Sequence, residues 1–195
     1  MAPKSEEALD ERFKALIWGD AVCRDALIRA RRLALPQWRI VSGVLYGALW
    51  NHLTGKPSGH GLKDIDLIYF DPSDLSFEAE DREISRAATL FEGSPYPVEL
   101  RNQARVHLWY EKRFGQPYEP LNCADDSLLR YASRNHAVAM RLEPDDRIDL
   151  YAPFGLHELF AMRVRPNRAL DNKATHTKKG ARAMHLWPEV TVEPW

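Results

Sequence analysis

Apolar positions in the first part of the chain recur every three or four residues. Leu9, Phe13, Leu16 and Ile17 mark one amphipathic helix, and Ala21, Leu27, Ile28 and Ala30 mark a second. Gly19-Asp20 separates them, Asp20 is placed to cap the second, and Pro36 ends the segment, which spans roughly residues 5–35. Trp38 to Val41 has strand character and runs into a turn at Ser42-Gly43. Helical spacing returns from Val44 to Leu53 and stops at Gly55. Residues 55–61 hold Gly55, Pro57, Gly59 and Gly61 and read as a loop. The run Lys63 to Phe70 is β-branched and aromatic, and it is the clearest strand in the chain.

Beyond it the spacing predicts a helix from a cap at Ser73 or Asp74 to about Phe91, then a short strand at Val98–Leu100. One helix is expected from Asn102 to Phe114, closed by Gly115, and a short one from Asp125 to Tyr131. Strands at 137–142 and 147–151 flank Glu143-Pro144-Asp145-Asp146, a turn suited to a hairpin. A short helix follows from Gly155 to Met162, and a last one lies between Asp171 and His185. Helices mixed with strands and a hairpin give an α+β fold. No linker or internal repeat divides the chain, so one domain over residues 1–195 is expected, with a basic helical segment at about 163–186.

Composition narrows the functional classes. The chain has 27 basic and 28 acidic residues and a net charge of −1, which argues against a surface built wholly to grip nucleic acid. Cys23 and Cys123 lie far apart, so neither a disulfide framework nor a cysteine-based zinc site is expected. The opening MAPKSEEALDERFK has no apolar signal core, and no apolar run is long enough to span a bilayer, so a cytoplasmic chain without a membrane partner is expected.

The chemistry concentrates around Asp64 and Asp66. Alternation along a strand puts these two carboxylates on one face, about 6–7 Å apart, while Ile65 and Leu67 face a core. Such a pair suits a hard divalent cation, Mg²⁺ or Mn²⁺, held by carboxylates together with substrate phosphates. A bare D-x-D also occurs as the plain end of a surface strand. Here it opens the most apolar strand and follows a glycine-rich loop by three residues. Glu99, between Val98 and Leu100, is the candidate third ligand; its other reading is an ordinary outward-facing residue. Lys63, Arg101 and Arg105 stand near the carboxylates in sequence and can offset phosphate charge, or can serve as surface charges and salt-bridge partners. On the expected helix, Asn102, Arg105 and Trp109 share a face, and Trp109 can stack on a base or pack inside. His60 sits in the glycine loop and His107 in the helix, each with a structural alternative. The loop has no Walker A spacing. Arg163, Arg165, Arg168, Lys173, Lys178, Lys179 and Arg182 form a basic stretch that fits either a solvated helix or a contact with phosphate.

A helix opened by Gly43, a D-x-D strand and a carboxylate on a later strand together resemble the DNA polymerase beta-like nucleotidyltransferase superfamily. Gly43 with Trp50-Asn51, the block Lys63–Asp71, the block Val98–Tyr110, Tyr151–Gly155 and Trp187-Pro188 resemble, more narrowly, a family of small bacterial nucleotidyltransferase proteins of unknown substrate. That resemblance spans about residue 15 to the end of the chain. It implies a mixed sheet flanked by helices, with Asp64, Asp66 and Glu99 as metal-binding and catalytic residues and Mg²⁺ or Mn²⁺ as cofactor. It implies nucleotide contacts by Gly43, Lys63, Arg101 and Arg105. The activity implied is transfer of a nucleoside monophosphate from a nucleoside triphosphate to a hydroxyl of a small molecule, RNA or protein, with release of pyrophosphate. One departure stands out: the superfamily follows its glycine with Ser or Gly, whereas here Ser42 precedes Gly43 and Val44 follows. An inactive nucleotide-binding or metal-binding module of the same fold is therefore the alternative, and a metal-dependent phosphohydrolase is a third reading.

Overall fold

The computed structural model describes residues 5–195; the first four residues, counted above in the 1–195 domain and in the segment without a signal core, lie outside the described residues. Helices α1 (Glu6–Gly19) and α2 (Ala21–Arg32) break at Asp20, whose carboxylate accepts the Cys23 amide at 3.0 Å and so caps α2. Strand β1 (Arg39–Val41) leads through Ser42 into α3 (Gly43–Thr54), which stops at Gly55 in the left-handed conformation. Strand β2 is Ile65–Tyr69, α4 is Phe77–Leu90 and β3 is Val98–Asn102. After a 3-10 turn (Gln103–Leu108) come α5 (Tyr110–Phe114) and two further 3-10 turns, Asp125–Arg130 and Arg134–His136. The hairpin β4 (Ala139–Leu142) and β5 (Ile148–Tyr151) follows, then α6 (His157–Phe160), β6 (Arg163–Val164), α7 (Lys173–Leu186) and β7 (Thr191–Val192).

The main sheet has the order β3-β2-β1-β4-β5. Only β2 and β3 run parallel; β1 pairs antiparallel with β2 and β4, and β4 with β5. β6 and β7 form a separate parallel pair. The period of two along β2 sorts its residues between two cores. Ile65, Leu67 and Tyr69 join Phe13, Ile17, Leu27, Leu45, Leu49 and Trp50 in the larger one, under α1, α2 and α3. Ile68 and Phe70 join Val41, Leu128 and Ala139 on the opposite face. Asp66 shares the parity of Ile68, on the face with less helix above it.

Several expected elements change, and the basic segment read as helical over about 163–186 is strand at Arg163–Val164 and helix only over Lys173–Leu186. The helix read from Ser73 or Asp74 starts at Phe77 with Ser76 as its cap, because Asp71 and Asp74 spend their carboxylates on turns that bond the amides of Ser73 and Ser76, each at 2.9 Å. The helix read over 102–114 is a 3-10 turn and one α-turn, broken at Trp109 (φ −128°). The shared face of Asn102, Arg105 and Trp109 therefore does not form. The Asp125–Tyr131 helix is likewise a 3-10 turn. Among the described residues no helix is long and apolar enough to cross a membrane.

Candidate active site

The parallel pairing of β2 with β3 sets Asp66 directly beside Glu99. Adjacent strands lie about 4.8 Å apart, so these two residues are lateral neighbours on one sheet face. Asp64 falls just before β2, in coil rather than within the strand. It is carried by the turn that the glycine loop makes into the sheet.

Two cavities meet at this point. The first, about 170 Å³, lies along the start of α3, with Ser42, Gly43, the glycine loop, Lys63, Asp64 and Asp66 on its walls, and Lys179 and Arg182 of α7 across from them. The second, about 310 Å³, lies on the other side, between β3, the 103–114 segment, the 125–130 turn and α7. Ser42, Asp66 and Lys179 line both; Asp64 lines only the first and Glu99 only the second. Asp66 thus stands in the partition between two spaces.

Burial raises the Asp66 carboxyl from 3.8 to about 6; Lys179 opposes the shift, Asp64 and Glu99 add to it, and Arg101 opposes it. Tyr46, also on the first cavity, has its phenol pushed up to about 12, mainly by burial; Arg182 opposes this, and the carboxylates of Asp66 and Asp64 reinforce it. Lys63, Lys179 and Arg182 have no carboxylate within ion-pair distance among the described residues. Arg182 instead donates to the Gly61 carbonyl at 2.5 Å. Their charge is available to an anion.

The glycine loop is held rather than loose. Tyr96 Oη donates to the Gly59 carbonyl at 3.1 Å, Asn51 Nδ2 to that of His60 at 3.2 Å, and His60 Nε2 lies 3.3 Å from the Leu186 carbonyl. Gly59 and Gly61 have φ of +75° and +73°, and a Cβ at either would strike Tyr96 or Leu186. Ser42 also has positive φ (+59°), although it is not glycine. Its amide donates to Val138 O at 2.9 Å and its carbonyl accepts from Leu45 and Tyr46, both at 3.0 Å, so the bonds around it hold the strain.

The remaining expected residues divide. Gly43 and Lys63 line the first cavity, and Arg101 lines the second. Arg101 Nη2 donates to Glu99 Oε1 at 2.9 Å, so the pair is closed on itself. Arg105 lines neither cavity: it is buried, paired with Glu80, and donates from Nε to the Leu75 carbonyl at 2.9 Å. Asn102 is buried as a turn cap that donates to Asp71 O at 2.8 Å. Trp109 stands on the wall of the second cavity. His107 Nδ1 has no hydrogen-bond partner among the described residues. Within the basic stretch, Lys179 and Arg182 reach the site, whereas Arg165 pairs with Glu193 at 2.8 Å and Glu158 at 3.4 Å. The residues that sequence spacing missed are Tyr46, Tyr118, Arg130 and His136, whose elements meet the site only through tertiary packing.

Among the described residues no three His, Cys, Asp or Glu side chains gather into a ready-made metal cage. Asp64 and Asp66 are a two-carboxylate oxygen set beside open space, and Glu99 is engaged by Arg101. That donor set fits a hard cation that arrives with phosphate oxygens and water.

Residues 28–192 match the model of a family described as nucleotidyltransferase. The chain belongs to this nucleotidyltransferase family. No curated protein matches it. Among solved structures, this nucleotidyltransferase chain superposes with a TM-score of 0.75, over 100% of its own length and 98% of the other's, on an NMR structure described as revealing a CCA-adding enzyme head domain; the two share 24% identity. A structure of a tRNA-processing enzyme complex aligns with a TM-score of 0.46 at 17% identity, over 86% of this chain and 42% of that one. The first likeness shows the fold: a mixed five-stranded sheet flanked by helices.

Proposed function

We propose that this chain is a metal-dependent nucleotidyltransferase that moves a nucleoside monophosphate from a nucleoside triphosphate to a hydroxyl acceptor and releases pyrophosphate. The observation that carries the reading is the place of Asp66, in register with Glu99 on β3, with Asp64 beside it, on the partition between a cavity that Lys63, Lys179 and Arg182 reach and a second, larger one. Asp64 and Asp66 hold a divalent cation, Mg²⁺ or Mn²⁺. Bound there, such an ion stabilises charge on the phosphoryl and leaving oxygens. Lys63, Lys179 and Arg182 offset the charge of the β- and γ-phosphates in the first cavity, and the opening turn of α3 at Gly43 offers backbone N–H groups to the same anion.

In transfer, the acceptor oxygen forms its bond to the α-phosphorus as the bond to pyrophosphate breaks on the opposite side. Glu99, the carboxylate that faces the second cavity, takes the acceptor's proton once Arg101 turns from it toward phosphate. Arg105 has a structural role in this reading.

Titration of each nucleoside triphosphate, with and without Mg²⁺, into wild type and the Asp64→Ala/Asp66→Ala protein tests the reading. Metal-dependent binding that the double substitution removes, followed by pyrophosphate release with an acceptor, is expected. Absence of binding by folded wild type would sink it. Binding without release in the presence of any acceptor favours the inactive module, a second reading motivated by the displaced Ser42 and the Glu99–Arg101 pair. Release of phosphate with no acceptor would indicate the phosphohydrolase.

A further inference from the structure

The second cavity has a different chemistry from the first. Trp109, Tyr110, Phe114, Tyr118 and Tyr131 give it flat apolar walls. Tyr110 and Tyr118 lie 4.5 Å apart by ring centroid, and Tyr110 and Phe114 lie 4.6 Å apart. The Arg130 guanidinium sits 4.3 Å over the Tyr118 ring; it donates to the Glu119 carbonyl at 2.6 Å and has no carboxylate within ion-pair distance among the described residues. Asn172 is held at the rim, donating to the Arg130 carbonyl at 3.2 Å. On the same wall His136 is buried, and neither ring nitrogen has a hydrogen-bond partner among the described residues. Its charge is suppressed by burial first and by Lys179 and His176 next. A neutral imidazole left unsatisfied beside a cavity is the kind of group that a bound molecule completes.

In-line displacement decides which substrate this space receives. The attacking and leaving oxygens lie on opposite sides of the α-phosphorus. If pyrophosphate leaves into the first cavity, toward Lys63, Lys179 and Arg182, the attacking hydroxyl approaches from the far side of Asp66, and that side is the second cavity.

We infer that the aromatic-walled cavity between the 103–114 segment, the 125–130 turn and α7 is the acceptor site, and that its acceptor is a nucleoside phosphate. This rests on the transferase reading above. A flat ring lies against the wall that Trp109, Tyr110 and Tyr118 build by packing together, since every base offers a π-face to an aromatic surface. Arg130 takes the acceptor's phosphate, as a planar guanidinium does. Among the described residues Asp66 and Glu99 are the only carboxylates on its walls, and the transfer chemistry uses both, while Arg101, Arg130 and Lys179 also line it, so an anionic acceptor suits this space better than a polycationic amino sugar. The sugar hydroxyl attacks the α-phosphorus, its proton passes to Glu99, and pyrophosphate departs.

The test titrates the four common nucleoside 5′-monophosphates into the full chain already saturated with Mg²⁺ and the α,β-methylene triphosphate that binds it. At least one monophosphate is expected to bind the saturated protein. Arg130→Gln and Tyr118→Leu should each weaken that binding ten-fold or more and leave affinity for the analogue within two-fold. Arg130→Lys, which keeps the charge, should recover part of the loss and controls for folding. Equal weakening of the analogue would mean that the cavity holds the triphosphate's own nucleoside, and would overturn the assignment. So would an analogue-bound protein that takes no monophosphate, or one that prefers a single-stranded trinucleotide RNA ten-fold; in both cases the transferase reading survives. Failure of the analogue itself to bind would remove that reading, and this inference with it.

Discussion

Asp66 is kept where ionisation is unfavourable, and this has a consequence at the scale of the residue. Its carboxyl holds a proton up to about pH 6 in the folded chain, against 3.8 when free. The native state therefore binds that proton more tightly than the unfolded state does. The resulting stability is fully present below pH 3.8 and is lost as pH rises through about 6. Asp66→Asn should raise stability at pH 7.5 by about 1–3 kcal/mol, and the gain should vanish near pH 4. Urea denaturation without metal at both pH values checks this. Added Mg²⁺ should stabilise wild type at pH 7.5 and leave the Asn variant unchanged. Equal stability of the two proteins at pH 7.5 would show that the carboxylate is better solvated than its setting implies. The strained Ser42 belongs to the same scale: a side chain in a conformation suited to glycine stands between both cavities, where a structural turn would more cheaply use glycine.

At the scale of elements, the 3-10 turn after β3 changes the meaning of a motif residue. Arg105 looks like a phosphate ligand while the segment is read as one helix. The break at Trp109 and the burial of α4's Glu80 give it another task. Glu80 Oε1 accepts the Asn102 amide at 2.8 Å, and its other oxygen takes Arg105. Arg105→Ala leaves that carboxylate buried without a counter-charge, so a loss of about 3–5 kcal/mol is expected. Calorimetric affinity for the triphosphate analogue, measured well below the melting temperature, should stay within two-fold of wild type. A large loss of affinity with unchanged stability would restore Arg105 to the nucleotide site. Asp66 and Glu99 stand out in the sequence as carboxylates set among apolar strand residues, which is a local signal; Asp64, read into the same strand, lies in the coil before it. The lateral pairing of Asp66 with Glu99 was not legible there, since the two are 33 positions apart and the helix between their strands, α4, packs on β3.

The whole molecule is closed by its last helix. Trp187 is buried, donates to Asn51 Oδ1 at 2.8 Å and packs edge-on against Trp50 at 5.2 Å, which fixes α7 against α3. Arg182 and Leu186 reach the glycine loop from the same helix. Trp187→Ala should cost about 3–5 kcal/mol and lower Tm by about 10 °C. It should also weaken the triphosphate analogue, because Lys179 and Arg182 lose their fixed place. Lys179→Ala should weaken the analogue several-fold with Tm unchanged. Thermal melts beside titrations separate the two; a Trp187→Ala protein with normal affinity would show that α7 is only a lid on the core.

By itself the sequence determined what depends on neighbours a few positions apart. These are the helices with their caps at Asp20 and stops at Gly55 and Gly115, the β2 strand with Asp66 in it, and the β4–β5 hairpin. Capping, left-handed glycine and side-chain alternation are short-range physics, so each leaves a mark in spacing. Tertiary structure decided the rest. It chose Lys179 and Arg182 from a run of seven basic residues, withdrew Arg105 to Glu80, and brought Tyr118, Arg130 and His136 together on the second cavity. Those choices follow from which helix face is buried and which strand pairs with which, energies summed over contacts distant in sequence that no local pattern records.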